Sequence, residues 1–365
     1  MCGVMWRMRE AILLVGGQGT RLRPLTLGTP KPMLPVAGVP VTVHQIERAR
    51  DAGVGRVVLG TSYRADVFAD QLGDGADLGV EIVYAVEEEP LGTGGAIRHA
   101  AAHLTSGPDD PVMVLNGDVL SGVDYAGLID THLSADASVT LHLVRVGDPT
   151  AYGLVPTDGD GRVLAFRETP TTPEEIVTDQ INAGCYVFRR SVIDAIPTGR
   201  VVSVERETFP GLLADGARLL GVVDDAYWLD LGTPWDFVRG SADLVRGIAP
   251  WRGHVPADAL VLEGAEIAGD AVISGGSTIG RAARIGAGAR VHGSVILDGA
   301  VIAPDAVIAD SVVGAHAYVG DRSTLSACVI GDRARLGRDI ELRAGARVWP
   351  DVELPDGAVR FSTDA

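Results

Sequence analysis

The hydrophobic positions of this chain follow two patterns, and the change falls near residue 256. Before it, short runs of consecutive apolar residues alternate with segments that can form helices. The alternation predicts an α/β sheet with helices on both faces, in which ligands bind at the carboxyl ends of strands. Buried strands are predicted over residues 11–15, 57–61, 81–85, 112–116 and 139–144, and helices over residues 41–52 and 95–103.

After Pro256, aliphatic residues recur at steps of five or six positions. Most are followed by Gly, Ala or a turn residue, which is typical of a parallel β-helix built from hexapeptide repeats. Three repeats make one triangular coil, so about five coils are expected. We therefore expect two domains, residues 1–250 and residues 251–365. The aliphatic positions are Ile267, Ile273, Ile279, Ile285, Val291, Ile296, Ile302, Ile308, Val313, Val319, Leu325, Ile330, Leu336, Leu342 and Val348.

Charge and composition narrow the possible partners. The net charge of −17 argues against a broad surface for nucleic acid or anionic membrane, so neither partner is expected. No run of eighteen apolar residues is present, and the N-terminus lacks the core of a signal peptide. Cys2, Cys185 and Cys328 are too scattered for a disulfide framework or zinc site, which favours the reducing cytoplasm. Anionic substrates would have to be held by local positive charge and metal.

Lys31 is the only lysine among the 31 Lys and Arg residues. A compact, flexible ammonium suits phosphate chemistry better than a planar guanidinium does. Lys31 follows a predicted strand and a glycine-rich turn, residues 16–21, whose backbone N–H groups can bind phosphate oxygens. The turn matches neither the Walker A loop nor the GxGxxG dinucleotide fingerprint. The basic residues Arg21 and Arg23 nearby strengthen the prediction of a phosphate site.

Seven motifs, spread over most of the chain, carry a resemblance to a known family. They are GGQGTRLRPLT, PKPMLPVAG, EEEPLGTGGA, NGDVL, FRETP, INAGCYVF and YWLDLGTPWDF. With these motifs the chain resembles the sugar-1-phosphate nucleotidylyltransferases, and among them the GDP-mannose pyrophosphorylases, especially those of actinobacteria. The resemblance implies a Rossmann-like nucleotidyltransferase domain followed by a left-handed parallel β-helix.

The resemblance also implies the reaction. A sugar 1-phosphate would attack the α-phosphorus of GTP and release pyrophosphate, and the resemblance points to mannose 1-phosphate as that sugar phosphate. Catalysis would rest on positioning and charge neutralisation, with Mg²⁺ as the cofactor because hard oxygen ligands suit it. Asp118 and Asp230 match the family's two metal carboxylates. Arg21 resembles its clamp on the β- and γ-phosphates, and Lys31 would bridge the sugar phosphate and the α-phosphate. These four residues are the expected catalytic set.

The nucleotide site is expected to involve Glu87. Uridylyl and thymidylyl relatives carry Gln five residues before the glycine that corresponds to Gly92. Guanine presents two adjacent donors, and a carboxylate accepts both, so Glu87 favours GTP. The alternative is that residues 87–89 form a solvated acidic run. The full set expected to bind nucleotide is Val15, Gly16, Gly17, Gly19, Thr20, Arg21, Glu87, Gly92, Thr93 and Asp118.

For the sugar, the resemblance implicates the Gly153 backbone, Glu168, Asn182 and Asp230. A carboxylate accepts two hydroxyl hydrogens and an amide both donates and accepts, which suits a hexose. Thr169 departs from the family, since most relatives have a lysine there that contacts the sugar phosphate. We do not expect Arg167 to replace this lysine if the segment is a strand. Either another arginine reaches the phosphate or the sugar differs.

Two alternatives stay open from the sequence. The chain could transfer a guanylyl, uridylyl or adenylyl group to another hexose or heptose 1-phosphate, or it could be a catalytically silent regulatory subunit. The retained Arg21, Lys31, Asp118 and Asp230 argue against silence, whereas Thr169 favours it. A β-helix leaves an end or face that can associate, so a homo-oligomer, dimer or higher, is expected through residues beyond Pro256.

Overall fold

The computed structural model describes residues 9–62, 64–167, 170 and 172–359. By its internal contacts the chain divides into two compact units. The first contains Met1–Gly17 and Thr42–Trp228, and the second contains Gln18–Val41 and Leu229–Ala365. The second unit therefore takes in a segment of the N-terminal sequence, residues 18–41, that carries Arg21 and Lys31.

The longer elements lie in the first 245 residues. The strands are β1 (Arg9–Leu14), β2 (Pro35–Val36), β3 (Val39–Pro40), β4 (Val54–Thr61), β5 (Glu81–Val86), β6 (Pro111–Asn116), β7 (Val119–Ser121), β8 (Val139–Arg145), β9 (Gln180–Arg189), β10 (Leu219–Asp224) and β11 (Trp228–Asp230). The helices are α1 (Val41–Asp51), α2 (Ala65–Leu72), α3 (Gly92–Ala100), α4 (Tyr125–Ser134), α5 (Arg190–Asp194), α6 (Phe209–Ala214) and α7 (Pro234–Val245). Single turns of 3₁₀-helix occupy Thr20–Leu22, Leu25–Leu27, Lys31–Met33, Ala76–Leu78, Ala101–His103 and Pro173–Glu175, and a π-helical turn occupies Val204–Thr208.

A seven-stranded sheet forms the centre of the first unit, in the order β10-β8-β9-β6-β1-β4-β5. Strand β9 runs antiparallel to both of its neighbours, and the other adjacent strands are parallel. The five strands predicted from apolar runs correspond to β1, β4, β5, β6 and β8, and the two predicted helices to α1 and α3. The predicted α/β fold is confirmed.

The core of this sheet is fully buried and ends in an aromatic cluster. Ile12, Val58 and Val114 on three neighbouring strands have no exposed surface. At one side, the Phe209 ring stacks on the Phe166 ring with centroids 4.7 Å apart. Tyr186 and Phe188 of β9 pack against the same Phe209 ring, with centroids 5.5 and 5.9 Å away. This cluster fixes the segments that line the cavity of the first unit.

A close approach of two chain segments shapes the carboxyl edge of the sheet. The Gly117 N–H donates to the Leu14 carbonyl over 2.8 Å. A Cβ at Gly117 would lie 2.6 Å from that oxygen, so only glycine fits there. Gln45 of α1 donates from Nε2 to the carbonyls of Asn116 and Val119, at 2.7 and 2.9 Å. The turn that carries Asp118 is therefore clamped at the ends of β1 and β6.

The second unit contains three parallel sheets of short strands with six, six and five members. This arrangement confirms the predicted hexapeptide β-helix and is consistent with a left-handed one. Its strands are β12 (Ala259–Val261), β13 (Glu266–Ile267), β14 (Val272–Ser274), β15 (Ser277–Ile279), β16 (Arg284–Ile285), β17 (Arg290–His292), β18 (Val295–Ile296), β19 (Val301–Ile302), β20 (Val307–Ala309), β21 (Val312–Val313), β22 (Tyr318–Val319), β23 (Thr324–Ser326), β24 (Val329–Ile330), β25 (Arg335–Leu336), β26 (Glu341–Leu342), β27 (Arg347–Val348) and β28 (Glu353–Leu354).

The repeat positions predicted to face inward form the core of the β-helix. From Ile279 to Val348 each of them is buried. Ile273 is partly buried, and Ile267 is 37% exposed. Ile267 lies in the first coil, where strand β13 has a neighbouring strand, β16, on one side only. Burial in a β-helix comes from the coils above and below, so the terminal coil cannot cover its own aliphatic residue.

Within the second unit, the segment of residues 18–41 contacts both α7 and the β-helix. The Ala37 N–H donates to the Ser241 hydroxyl over 2.9 Å, and that hydroxyl lies 3.1 Å from the Thr278 hydroxyl of β15. Arg347 of β27 donates to the Arg23 carbonyl over 2.6 Å. The segment is thus attached near the first coils through Ser241 and near the last coils through Arg347.

Candidate functional site

Arg21, Lys31 and Asp230 lie together in the second unit. The Lys31 ammonium is 3.6 Å from Oδ1 of Asp230. A Cβ built on Gly232 would lie 3.1 Å from both Nη2 of Arg21 and Oδ2 of Asp230. Three of the four residues predicted to be catalytic therefore form one cluster, whose two cations exceed its single carboxylate. Such a cluster can hold phosphate oxygens and still offer a carboxylate to a cation.

Local sequence explains how Lys31 reaches this position. Gly19 has a φ of 57°, in the left-handed region that favours glycine. A Cβ there would lie 2.9 Å from the Cβ of Lys31. The Thr26 hydroxyl donates to the Gly19 carbonyl over 2.8 Å and closes the loop between the glycine turn and Lys31. Because Gly19 has no side chain, the chain can bring Lys31 close to it.

The segment that follows Asp230 is fixed by the start of α7. Thr233 caps this helix, and its side chain accepts from the Asp236 N–H. The Asp236 carboxylate accepts in return from the Thr233 N–H and hydroxyl, at 3.1 and 2.6 Å. This capping box holds the turn between β11 and α7, in which Gly232 lies.

Asp118 lies in the first unit, in the clamped turn after β6. Burial raises the pKa of the Tyr186 hydroxyl, and the negative charges of Glu205 and Asp118 add to the shift. Both carboxylates therefore act on one buried phenol of β9. Within the described residues, no group of three or more His, Cys, Asp or Glu side chains could hold a metal by itself. A cation bound by Asp118 or Asp230 would need substrate oxygens to complete its ligands.

A cavity of about 480 Å³ opens in the first unit. This volume falls in the ordinary range for small-molecule sites. Two residues predicted to bind the sugar, Gly153 and Asn182, line it, whereas Glu168 and Thr169 lie outside the described residues. The lining also includes Thr93, Val155, Phe166, Arg167, Ser203, Glu205, Arg206 and Pro210.

Internal hydrogen bonds orient Asn182 in this cavity. Its Nδ2 donates to the Tyr186 hydroxyl over 2.6 Å, and its Oδ1 accepts from the Gly184 N–H over 3.1 Å. One amide hydrogen and one oxygen lone pair remain for a ligand. Asn182 can therefore still donate and accept, as predicted for a sugar hydroxyl contact, and its direction is set before any ligand arrives.

Gly153 lies where two segments pair closely. Leu154 and Arg167 exchange two backbone hydrogen bonds of 3.0 Å. A Cβ at Gly153 would lie 3.3 Å from the Arg167 carbonyl. Arg167, which was not expected to replace the lysine, lines the same cavity. Positions 167 and 169 are two residues apart, so the alternation of a strand would put them on one face and gives no reason to exclude Arg167.

The glycines at the start of α3 are explained by packing within the first unit. A Cβ at Gly92 would lie 2.6 Å from the Val202 carbonyl, and the Gly94 N–H donates to that oxygen over 2.8 Å. The glycines thus let residues 200–202 lie against the helix. Thr93, predicted to bind nucleotide, lines the cavity that also contains Gly153 and Asn182. Its part in nucleotide binding stays a prediction.

Glu87 differs from the two acidic residues that follow it. It is 8% exposed, whereas Glu88 and Glu89 are exposed. Its Oε2 accepts from the Leu91 N–H over 3.1 Å. Burial raises the pKa of its carboxyl, while the Leu91 hydrogen bond and the nearby His99 act in the opposite direction. Glu87 is therefore set apart from a uniformly solvated run, and its recognition of guanine stays a prediction.

Three polar residues of the cavity were missed in the sequence, namely Ser203, Glu205 and Arg206. They belong to the stretch SVERET at and within the π-helical turn. Its mixture of charged and small polar residues is also typical of solvent-exposed loops, so composition provides no signal. The signal that identifies Glu205 is its hydrogen bond to Thr93, which is 112 positions away in the sequence.

The α/β sheet, the clustered Arg21, Lys31 and Asp230, and the cavity of the first unit are features expected of a nucleotidyltransferase. A sequence profile described as Nucleotidyl transferase matches residues 10–247, and one described as GMPPB C-terminal domain matches residues 255–358. The chain belongs to the nucleotidyl transferase family. Among the described residues, no helix is both long enough and apolar enough to cross a membrane.

Known relatives cover both parts of the chain. A Mycobacterium tuberculosis protein named mannose-1-phosphate guanylyltransferase is 55% identical over 359 residues, 97% of this chain and 98% of that protein. The catalytic subunit beta of mannose-1-phosphate guanylyltransferase from Drosophila pseudoobscura pseudoobscura is 40% identical over 232 residues, 63% of this chain and 61% of its own length. The crystal structure of HddC from Yersinia pseudotuberculosis complexed with GMP-PN is 30% identical, with a TM-score of 0.55, over 65% of this chain and 100% of that chain.

Proposed function

We propose that this chain transfers the GMP group of GTP to mannose 1-phosphate, forming GDP-mannose and pyrophosphate. The observation that carries the proposal is the 55% identity to the Mycobacterium tuberculosis relative of that name, over 97% of this chain. The match extends through the segments that place Arg21, Lys31 and Asp230 together, so the chemistry and the comparison support one conclusion.

The reaction needs no protein nucleophile. A phosphate oxygen of mannose 1-phosphate forms a bond to the α-phosphorus of GTP, and the bond from this phosphorus to the oxygen bridging to the β-phosphorus breaks. Two anions must be brought together, so positive charge and alignment provide most of the rate enhancement. Arg21 is proposed to hold the β- and γ-phosphates, and Lys31 the sugar phosphate and the α-phosphate. The 3.6 Å ion pair with Asp230 aims the Lys31 ammonium before substrates bind.

Asp118 and Asp230 are proposed as carboxylate ligands of Mg²⁺. Their oxygens are the hard donors that this ion prefers. Asp118 lies in a turn clamped by Gln45, and Asp230 ends β11, just before the turn held by the capping box. When bound, the ion would neutralise phosphate charge and polarise the α-phosphate. Members of this family typically use a divalent metal. Mg²⁺ is the specific proposal because it is commonly shared between one or two carboxylates and nucleotide phosphates.

Glu87 is proposed to select guanine. Its carboxylate presents two acceptors, which complement the N1–H and amino group of the base. The structural neighbour bound to GMP-PN supports a guanine nucleotide in a chain 30% identical to this one. Val15, Gly16, Gly17, Gly19, Thr20, Gly92 and Thr93 complete the proposed nucleotide contacts.

Gly153, Glu168, Asn182 and Asp230 are proposed to bind the sugar. A second candidate function is guanylyl transfer to another hexose or a heptose 1-phosphate. The observation that favours this candidate is Thr169, at the position where the family resemblance implies a lysine in contact with the sugar phosphate. The cavity lining contains two arginines, Arg167 and Arg206, which could provide the missing positive charge.

The deciding experiment measures pyrophosphate release with GTP, UTP or ATP, each paired with mannose, glucose or a heptose 1-phosphate. GTP with mannose 1-phosphate should give the highest kcat/KM, and Lys31→Ala should abolish the signal. A higher value with another sugar phosphate would replace mannose, and a higher value with UTP or ATP would overturn the choice of base. No release with any pair would indicate a silent regulatory subunit.

We also propose a cytoplasmic homo-oligomer. The two described cysteines, Cys185 and Cys328, are buried free thiols, which suits a reducing compartment. The first coil leaves Val261, Ile267 and Val272 between 37% and 51% exposed, an apolar surface that a second copy would cover. Light scattering of the full chain should give a mass of at least two protomers, and Ile267→Glu should lower it. A wild-type monomer would contradict the proposal.

A further inference from the structure

Glu205 is the one carboxylate among the described residues that line the cavity of the first unit. It lies in the π-helical turn Val204–Thr208, and nothing in the sequence motifs assigns it a role. The cavity also contains Asn182 and Gly153, the two described residues proposed to contact the sugar. Glu205 therefore shares a cavity with the proposed sugar contacts.

Two hydroxyl groups hold the Glu205 side chain in place. The Thr93 hydroxyl and the Ser203 hydroxyl each donate to Oε2 of Glu205 over 2.9 Å. The Thr93 oxygen accepts from the Val204 N–H over 3.0 Å, and the Ser203 oxygen accepts from the Arg206 N–H over 3.2 Å. Each hydroxyl therefore donates to the carboxylate and accepts from the backbone. This network fixes the carboxylate between α3 and the π-helical turn.

Both hydrogen bonds end on the same oxygen atom. Within the described part of the chain, no hydrogen bond reaches Oε1 of Glu205. An ionised carboxylate only accepts hydrogen bonds, so a ligand group at Oε1 must be a donor. Sugar hydroxyls are donors, whereas phosphate oxygens would be repelled. Val155, Phe166 and Pro210 in the same lining offer apolar surface for the C–H groups of a sugar ring.

We propose that Glu205 is a sugar-recognition residue, whose Oε1 accepts a hydrogen bond from a ring hydroxyl of the sugar 1-phosphate. Thr93 and Ser203 are positioning residues that keep Oε2 occupied and Oε1 available. This inference rests on the proposed function because it takes the ligand of the cavity to be the sugar of a sugar 1-phosphate. Glu205 lies outside the seven sequence motifs that carry the family resemblance.

The test compares Glu205→Gln with the matched control Glu207→Gln. Glu207 lies in the same π-helical turn, pairs with Arg200 at 2.7 Å and does not line the cavity. In Glu205→Gln, the two hydroxyl donors will hold the amide oxygen, so the NH₂ group replaces the acceptor at the ligand. We expect the KM for the sugar 1-phosphate to rise about tenfold, with the KM for GTP within about twofold of wild type. The control should leave both constants unchanged.

Deoxy sugars distinguish recognition from a structural effect. The 2-, 3-, 4- and 6-deoxy analogues of the preferred sugar 1-phosphate are assayed with wild type and Glu205→Gln. For the analogue that lacks the hydroxyl bound by Glu205, the KM values of the two proteins should differ by less than about twofold. For the other analogues, the roughly tenfold difference in KM should persist. A difference of equal size for every analogue, or no rise in KM, would overturn the proposal.

Thr93 provides the test of positioning. Thr93→Val removes the donor at nearly constant volume, and Thr93→Ser restores it. We expect Thr93→Val to raise the KM for the sugar phosphate and Thr93→Ser to recover it, with little effect of Thr93→Val once Glu205→Gln is present. Full additivity in the double variant would exclude positioning through Glu205. If wild type prefers another sugar 1-phosphate, mannose fails as the substrate and the same variants are assayed with that sugar.

Discussion

Lys31 and Asp230 form an ion pair, with the ammonium nitrogen 3.6 Å from Oδ1. The lysine lies in a 3₁₀ turn of the N-terminal sequence, and the aspartate ends β11. Their side chains are 11% and 29% exposed, so the attraction is only partly screened by water. Substrate phosphates and a metal would meet this pair already assembled, with the positive charge directed by the negative one.

Lys31→Arg is expected to lower kcat at least about 100-fold, although the charge is conserved. A guanidinium is bulkier than an ammonium and directs its N–H groups differently, so it would not reproduce the point charge of Lys31 beside Asp230. Steady-state kinetics measures the effect, and Arg281→Lys, a reciprocal exchange at an exposed β-helix position, is the control. An unchanged rate in Lys31→Arg would return Lys31 to an ordinary surface role.

Asp118→Asn and Asp230→Asn should each lower turnover at least about 100-fold, because each removes a negative charge proposed to bind the metal. A Mg²⁺ titration should also show a raised half-saturating concentration in each variant. Circular dichroism checks that the fold is retained, and Asp109→Asn, at an exposed position, is the control. Normal activity of Asp118→Asn at limiting Mg²⁺ would contradict its assignment as a ligand.

Glu87→Gln should reduce the preference for GTP over UTP by about 1–3 kcal/mol, since one donor of guanine would face an amide N–H. The measurement is the ratio of kcat/KM values for the two nucleotides in direct competition. Glu88→Gln changes the neighbouring exposed carboxylate in the same way and should leave that ratio unchanged. An equal ratio in Glu87→Gln and wild type would remove Glu87 from base recognition.

Ser241→Ala should lower the free energy of unfolding by about 1–3 kcal/mol, because it leaves the buried Ala37 N–H without its acceptor. Ala37 also has a φ of 48°, so its turn relies on this contact to hold an uncommon backbone conformation. Urea unfolding provides the measurement. Ser134→Ala, at an exposed position in α4, should change stability by less than about 0.5 kcal/mol. Equal stability of the two variants would show that the contact with Ala37 contributes little.

Acid should destabilise the protein partly through Glu10. Burial by itself would raise the pKa of this carboxyl, but hydrogen bonds from Thr105 and Ser106 outweigh burial and hold the pKa below its ordinary 4.5. A depressed folded pKa contributes stability above the unfolded pKa, and this contribution is lost as pH falls through the folded value. Unfolding free energies measured across that acid range should therefore fall less steeply in Glu10→Gln than in wild type. If the unfolding free energies of the two proteins fall in parallel with pH, Glu10 does not contribute to the loss of stability in acid.

Parts of the fold follow directly from sequence because their burial is complete. Strands β1 and β6 are covered on both faces, so they read as continuous apolar runs. Strand β9 was missed because its first half, QINAG, carries the polar residues Gln180 and Asn182, which interrupt the apolar pattern. Of the two, Asn182 lines the cavity. Ile267 belongs to the same repeat pattern as the buried positions, but its strand lies at the open end of the β-helix that the repeats predict.

The site could be predicted only where a motif carried it. Arg21, Lys31 and Asp230 lie in motifs, and the structure brings them together. Glu205 could not be found in this way, since its proposed role depends on hydrogen bonds with Thr93 and Ser203 across α3 and the π-helical turn. Residue type and spacing encode the local turn, but a contact between distant segments arises only from folding.

The bond from Arg347 to the Arg23 carbonyl has a consequence for synthesis of the protein. A ribosome completes residues 18–41 early, whereas Arg347 emerges near the end of translation. N-terminal sequence generally folds first as the chain grows. The segment that carries Arg21 and Lys31 therefore lacks its contact with Arg347 until the last coils have been synthesised. A chain released too early would lack this attachment, so the nascent protein acquires the complete arrangement only once nearly all of it has been made.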